Sequence, residues 1–206
     1  FMRSAAKLVS LKAIATYLGN AAEKFNSYYE AANLFGVSMK GLTGEASAFI
    51  NKMETLLGID PTEAMNNMAT IQGLTTSFGL ASDKAYVLSK NLTQLGYDLA
   101  SLKNIPVAES FTKIQAAISG ELEPIRRLGV DISNARLQQE LLNLGYSQSV
   151  STLSQADKAV LRYIAIMKQT TDAQGDFART LSSPANMIRI LQAQLNSLAR
   201  AVGSLL

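Results

Sequence analysis

Carboxylates carry nearly all the acid–base chemistry open to this sequence near neutral pH, because its 206 residues include no His and no Cys. Two acid pairs have the residue types for glycoside cleavage, in which one carboxyl protonates the leaving oxygen and the other acts as base or nucleophile. They are Glu121 with Glu123 and Asp172 with Asp176. The first pair is two residues apart, so on a helix its members face different ways. The second shares a face, but it falls in a connector where solvated carboxylates are expected. The missing His and Cys also remove zinc ligands, thiol nucleophiles, Ser-His and Cys-His relays and a disulfide framework. Acids at calcium-loop spacing are absent, as are GxGxxG and GxxxxGK[ST] phosphate cradles. We therefore expect no catalytic residue, no metal and no cofactor.

The elements that would hold such groups read as helices almost throughout. One punctuation recurs: a large apolar residue, Gly, another apolar residue, then a capping residue. It appears at Phe35-Gly36-Val37-Ser38, Leu57-Gly58-Ile59-Asp60, Phe78-Gly79-Leu80 with Ser82 after it, Leu128-Gly129-Val130-Asp131 and Leu144-Gly145-Tyr146-Ser147. Gly takes the left-handed position past a helix end, and Ser or Asp accepts the free N–H groups of the next helix. Leu95-Gly96-Tyr97-Asp98 fits the template while the apolar rhythm runs on through it, which leaves a stop or a continuous helix open. Asp60-Pro61-Thr62-Glu63 reads as a capping box with Pro at the first helical position. Ser154 and Ser183-Pro184 mark two further starts. Helices are expected over 3–34, 43–57, 61–78, 83–103, 106–119, 121–128, 133–144, 155–173 and 184–204, with 174–182 a connector or frayed helix. Persistent β-branched alternation is missing, so no sheet is expected. The fold class is all-α, a module of about eight or nine helices with long amphipathic N- and C-terminal helices.

Charge divides the chain differently. Residues are 48% hydrophobic and 17% charged, below the roughly one quarter usual for soluble domains. Residues 1–22 carry Arg3, Lys7 and Lys12 and no acid; residues 179–206 carry Arg179, Arg189 and Arg200 and no acid. Six of the 19 basic residues thus lie at the ends, leaving 13 in the middle with all 16 acids. The densest basic spot is Arg126-Arg127, too little for the footprint of specific nucleic-acid binding. Nor does any apolar run reach the ~18 residues of a membrane span. The early Leu8-Val9-Ser10-Leu11 run is cut by Lys12 and does not read as a signal peptide. Three parts are expected: an amphipathic connecting helix over 1–35, a compact module over 36–183, and an amphipathic helix over 184–206 continuing into a longer chain.

That last helix carries an apolar stripe. Ile188, Leu191, Leu195, Leu198, Val202 and Leu205 step by 3, 4, 3, 4 and 3 residues, the spacing of a coiled-coil seam. Packing into the chain's own core, as a hairpin on 155–173, and self-association between copies both account for it. The helix also suits a membrane-interface segment, as does 1–22.

Two resemblances add to this. Glu109-Ser110 at a helix start is similar to the acid-bearing motif of lytic transglycosylases, which act on peptidoglycan. The Gly-rich loop of those families does not follow Ser110, and an acid in a first turn is favoured by the helix dipole alone. The wider match begins at Ser119-Gly120-Glu121-Leu122-Glu123-Pro124-Ile125-Arg126-Arg127-Leu128-Gly129-Val130-Asp131. It continues through Leu153-Ser154-Gln155-Ala156-Asp157, Arg162-Tyr163, Thr170-Thr171-Asp172-Ala173-Gln174-Gly175-Asp176-Phe177-Ala178-Arg179-Thr180, Pro184-Ala185-Asn186, Arg189 and Leu191. Upstream, Glu30-Ala31-Ala32-Asn33-Leu34-Phe35 and Leu95-Gly96-Tyr97-Asp98-Leu99-Ala100-Ser101 fit as well. Over roughly residues 28 to 200 the chain resembles the tape measure proteins of long-tailed phages and prophages.

The resemblance implies a structural component of the virion. Such proteins thread the tail lumen, set its length during assembly in the host bacterial cytoplasm, and leave during genome delivery. Tail tube, tail tip or tail assembly chaperone proteins are the implied partners, with several copies together and three favoured. A membrane-active or channel-forming role during ejection is the implied alternative. A ruler should be an uninterrupted helix, 1.5 Å per residue. The Gly stops here instead imply a compact helical module attached to one.

Overall fold

The structure, a computed structural model, describes residues 2–206, with side chains from residue 13 onward. Arg3, Lys7 and Lys12, the basic residues of the expected N-terminal interface segment, therefore lie outside the described side chains. Among the described residues 77% are helical and no strand occurs. In chain order the helices are α1 (Met2–Ser38), α2 (Thr43–Leu57), α3 (Pro61–Ser77), α4 (Ser82–Leu102) and α5 (Val107–Ser119). They continue with α6 (Leu122–Arg126), α7 (Asn134–Asn143), α8 (Gln155–Gln169), α9 (Asp176–Arg179) and α10 (Pro184–Gly203). A 3-10 turn over Val150–Thr152 precedes α8.

Helix α4 is the axis of the fold. Twelve of its residues are buried, Tyr97, Leu99 and Ala100 among them, and α2, α3, α5, α8 and α9 all pack on it. It runs straight through Gly96, which settles the ambiguity in the sequence. The missing side chain is what allows the approach of α5: a β-carbon at Gly96 would stand 2.5 Å from the Phe111 ring. Ser110 completes the contact by donating to the Gly96 carbonyl at 2.8 Å.

Most stops behave as the sequence predicts. Gly58, Gly79, Gly129 and Gly145 all have positive φ at helix ends. Phe35-Gly36 does not. Helix α1 continues to Ser38, because Ala31, Phe35 and Met39 form one buried stripe and the extra turn brings Met39 into the core. Gly within a helix costs only about 1 kcal/mol, less than burying a Met side chain gains. Gly41, at φ +86°, follows the helix instead.

Three caps also differ from expectation. Ala81, not Ser82, precedes α4, and Ser133, not Asp131, caps α7 by accepting from Arg136 N–H. Asp131 turns the chain into that cap by accepting from the Ser133 N–H at 2.9 Å. Ser147 starts no α-helix; Ser149 caps the 3-10 turn. The segment 174–182 is not frayed: Phe177 is 2% exposed, and α9 is seated against α4.

Candidate functional site

Three of the strings that carry the resemblance, residues 95–101, 170–180 and 184–189, come together in space. Asp98 on α4 accepts from the backbone N–H groups of Gly175 and Phe177 at 2.9 and 3.1 Å, so it caps α9 from another helix. Burial raises the Asp98 carboxyl above its ordinary pKa, and those two N–H groups offset part of the cost. Ser101, one turn later, donates to Asp176 at 2.6 Å and shares a 2.8 Å bond with the Thr180 hydroxyl. Asn186, fully buried near the start of α10, donates to the Ser101 hydroxyl and to Thr180. Arg189 bonds the Asn186 side chain and caps the end of α4 through the carbonyls of Ala100 and Ile105, at 3.2 and 2.9 Å. One polar node thus fastens α9 and α10 to α4. Elsewhere the same role falls to Arg162, which reaches the Ile118 carbonyl at 2.9 Å, and to Glu140, held between Arg136 and Lys168.

The acids proposed for chemistry are dispersed or already engaged. Glu121 precedes α6, and Glu123 pairs with Arg126 on the surface. Asp172 is exposed while Asp176 is buried in the node. Glu109 pairs with Lys113 one turn on, and Ser110 is buried against α4. No group of three His, Cys, Asp or Glu that could hold a metal ion occurs among the described residues.

Helix α10 is the unusual element. Ser183 caps it and Pro184 occupies its first position, as the sequence predicts. It lies antiparallel to α1, with Gly203 pressed on the Ala21 carbonyl and Arg200 over the Tyr28 ring at 5.4 Å. The hairpin with residues 155–173 does not form; α1 is the partner instead. Its inward face is largely polar or small, although Ile190 also packs on the core beside Gly58. Arg200 meets Asp60 at 2.8 Å and Glu54 at 3.6 Å, Asn196 donates to Asp60 at 2.7 Å, and Asn186 and Arg189 join the node described above. Its outward face is the apolar stripe. Ile188, Leu191, Leu195 and Leu198 are 55–58% exposed and Leu205 85%, while Val202 is half-buried. The only two charged residues of α10, Arg189 and Arg200, both turn inward. Gln192, Gln194, Ala199 and Ala201, the neighbours of the stripe, bring no charge to it.

Beneath α10 lies a cleft of about 610 Å³, of mixed polar and apolar lining, that no sequence motif signalled. Glu63, which the sequence places in a capping box, instead borders this cleft, and only Asp60 caps, accepting from Thr62 N–H at 2.9 Å. Burial, then the neighbouring Asp60 charge, pushes the Glu63 carboxyl up to about 7 against a partial pull from Arg189. Tyr97, 2% exposed, borders the cleft from α4. No protein-family profile, curated protein or solved structure matches the chain.

Proposed function

We propose that this chain is a helical assembly module of a long-tailed phage tape measure protein, a structural part of the tail without enzymatic activity. It is assembled in the bacterial cytoplasm with tail tube, tip or chaperone proteins and resides in the virion. Copies associate through the outward face of α10, three being the favoured number. The observation that carries this reading is the inversion of α10: the polar face is fastened inward and an uncharged leucine stripe faces outward. A stripe from Ile188 to Leu205 is about 25 Å long at 1.5 Å per residue. Its 3–4 spacing is that of a seam that pairs with itself. Neutral neighbours place no like charges against each other when two copies meet.

The membrane alternative is less well supported by the same helix. An interfacial helix anchors through Lys and Arg beside its apolar face, and here both arginines are committed to Asp60, Glu54, Asn186 and backbone carbonyls. Among the described residues no helix is long and apolar enough to cross a membrane.

Mass spectrometry of purified tails of the phage encoding the chain tests the reading. Peptides of this chain in the tail, and a tail length that changes when the gene is shortened in frame, support it. Absence from purified virions overturns it.

A further inference from the structure

We propose that the groove between the end of α2 and the flank of α10 receives the α10 helix of a second copy of this chain, which packs on the stripe and on α2 together. The inference rests on the α10 association proposed above and names the surface that completes it.

The stripe alone is too small. Covered completely, Ile188, Leu191, Leu195, Leu198 and Leu205 would remove about 600 Å² per copy from water, short of the ~800 Å² per partner of a standard specific interface. A helix is ~10 Å across with its side chains, wider than the stripe, so one laid along it must touch what lies beside it. On one side that neighbour is apolar. Ile190 and Gln194 lie next to Ile188 and Leu191, and they also line a groove of about 320 Å³ against Leu56, Leu57 and Leu181.

The groove has a fixed floor. Ile190 is seated on Gly58, where a β-carbon would stand 2.8 Å from it, and the left-handed Gly58 ends α2 at that point. Leu56 stands on the wall 61% exposed. Leu56 and Leu57 also border a second groove toward Phe49 and Tyr86, so apolar surface continues from α10 along α2. Leu56, Met187 and the partly exposed Leu57, Leu181 and Ile190 add about 300 Å² to the stripe, which brings one copy's share into the standard range.

Charge selects the occupant. Among the described residues lining the groove only Glu54 is charged, and it turns toward Arg200 at 3.6 Å. A strongly charged partner segment would lose hydration there without gaining a free counter-charge. The α10 stripe of a second copy brings Ile and Leu side chains flanked by Gln and Ala. Once seated on the stripe it already lies over the groove, so the same contact fills both.

The test uses the whole chain, which has no Cys of its own. Chains carrying Leu56→Cys are mixed with chains carrying Leu191→Cys, Leu195→Cys or Leu198→Cys and mildly oxidised, while Leu56→Glu is followed by sedimentation equilibrium. A disulfide between Leu56→Cys and at least one of the other three is expected, and Leu56→Glu should weaken association tenfold or more. At dilutions where both are monomeric, Leu56→Glu should melt with wild type, because Leu56 is exposed in the single copy. If Leu56→Glu fails to fold, the cross-link decides. Association that Leu56→Glu leaves unchanged, or disulfides that form only from stripe to stripe, overturn the groove contact and leave the α10 association standing. A wild type that stays monomeric overturns both. A monomer that floats with vesicles of phosphatidylcholine and phosphatidylglycerol assigns the surface to lipid instead, which also overturns the proposal.

Discussion

Glu63→Gln should change how stability depends on pH, and the structure gives the size. Glu63 sits at about 7 in the folded chain against 4.5 as its ordinary value. Because the folded value is raised, its stabilising contribution is complete below pH 4.5 and is lost as pH climbs through about 7. That span, at 1.36 kcal/mol per pH unit and discounted for the water that still reaches a half-buried carboxyl, amounts to about 2–3 kcal/mol. Gln keeps the shape and cannot ionise. Other groups with shifted values, such as Asp98 and Glu140, are common to both proteins and cancel in the comparison. Thermal unfolding followed by circular dichroism, at one fixed protein concentration, should show the variant gaining on wild type between pH 5 and 8. The gain should be about 5–10 °C for a chain of this length. Parallel pH profiles for the two proteins would refute the burial argument for Glu63.

Three further outcomes follow from the packing. Gly129→Val, at φ +89° with open space around it, should lose about 1 kcal/mol or more in urea unfolding from backbone strain alone. Gly203→Ala drives a β-carbon into the Ala21 carbonyl, so the α1–α10 contact must part; a loss of about 1–3 kcal/mol is expected in the same assay. A peptidoglycan zymogram should show no clearing, and clearing that disappears with Glu109→Gln would establish the enzyme reading instead.

Helix positions were legible because their signals are local. Asp60-Pro61, Ser154 and Ser183-Pro184 each define a start within four residues, and Gly129 or Gly145 a stop. Phe35-Gly36 misled because a buried stripe reaching Met39 outweighs one helical Gly, and burial is not a local property. The direction faced by α10 was illegible for the same reason. Periodicity revealed the stripe of Ile188, Leu191, Leu195 and Leu198, but which side turns inward depends on partners far along the chain. Arg200 meets Asp60 across 140 residues, and Asn186 meets Ser101 across 85. Glu63 and Tyr97 carried no signal, since a first-turn acid and an apolar-stripe tyrosine are ordinary in any helix. Only folding sets them on one cleft.

Sedimentation equilibrium of the chain at high micromolar concentration, beside the Leu195→Ser and Leu198→Ser double variant, tests the assembly claim most directly. Five large side chains already half out of water stand to gain roughly 1 kcal/mol each per copy when covered. That total can offset the lower estimates of the association cost, about 4 kcal/mol. Wild type is expected to associate and the double variant to stay monomeric. Association itself stabilises the folded chain, so the two melting temperatures should agree closely only at dilutions where both are monomeric, because both leucines face away from the chain's own core. A wild type that stays monomeric, with a double variant that melts earlier, would contradict the assembly claim.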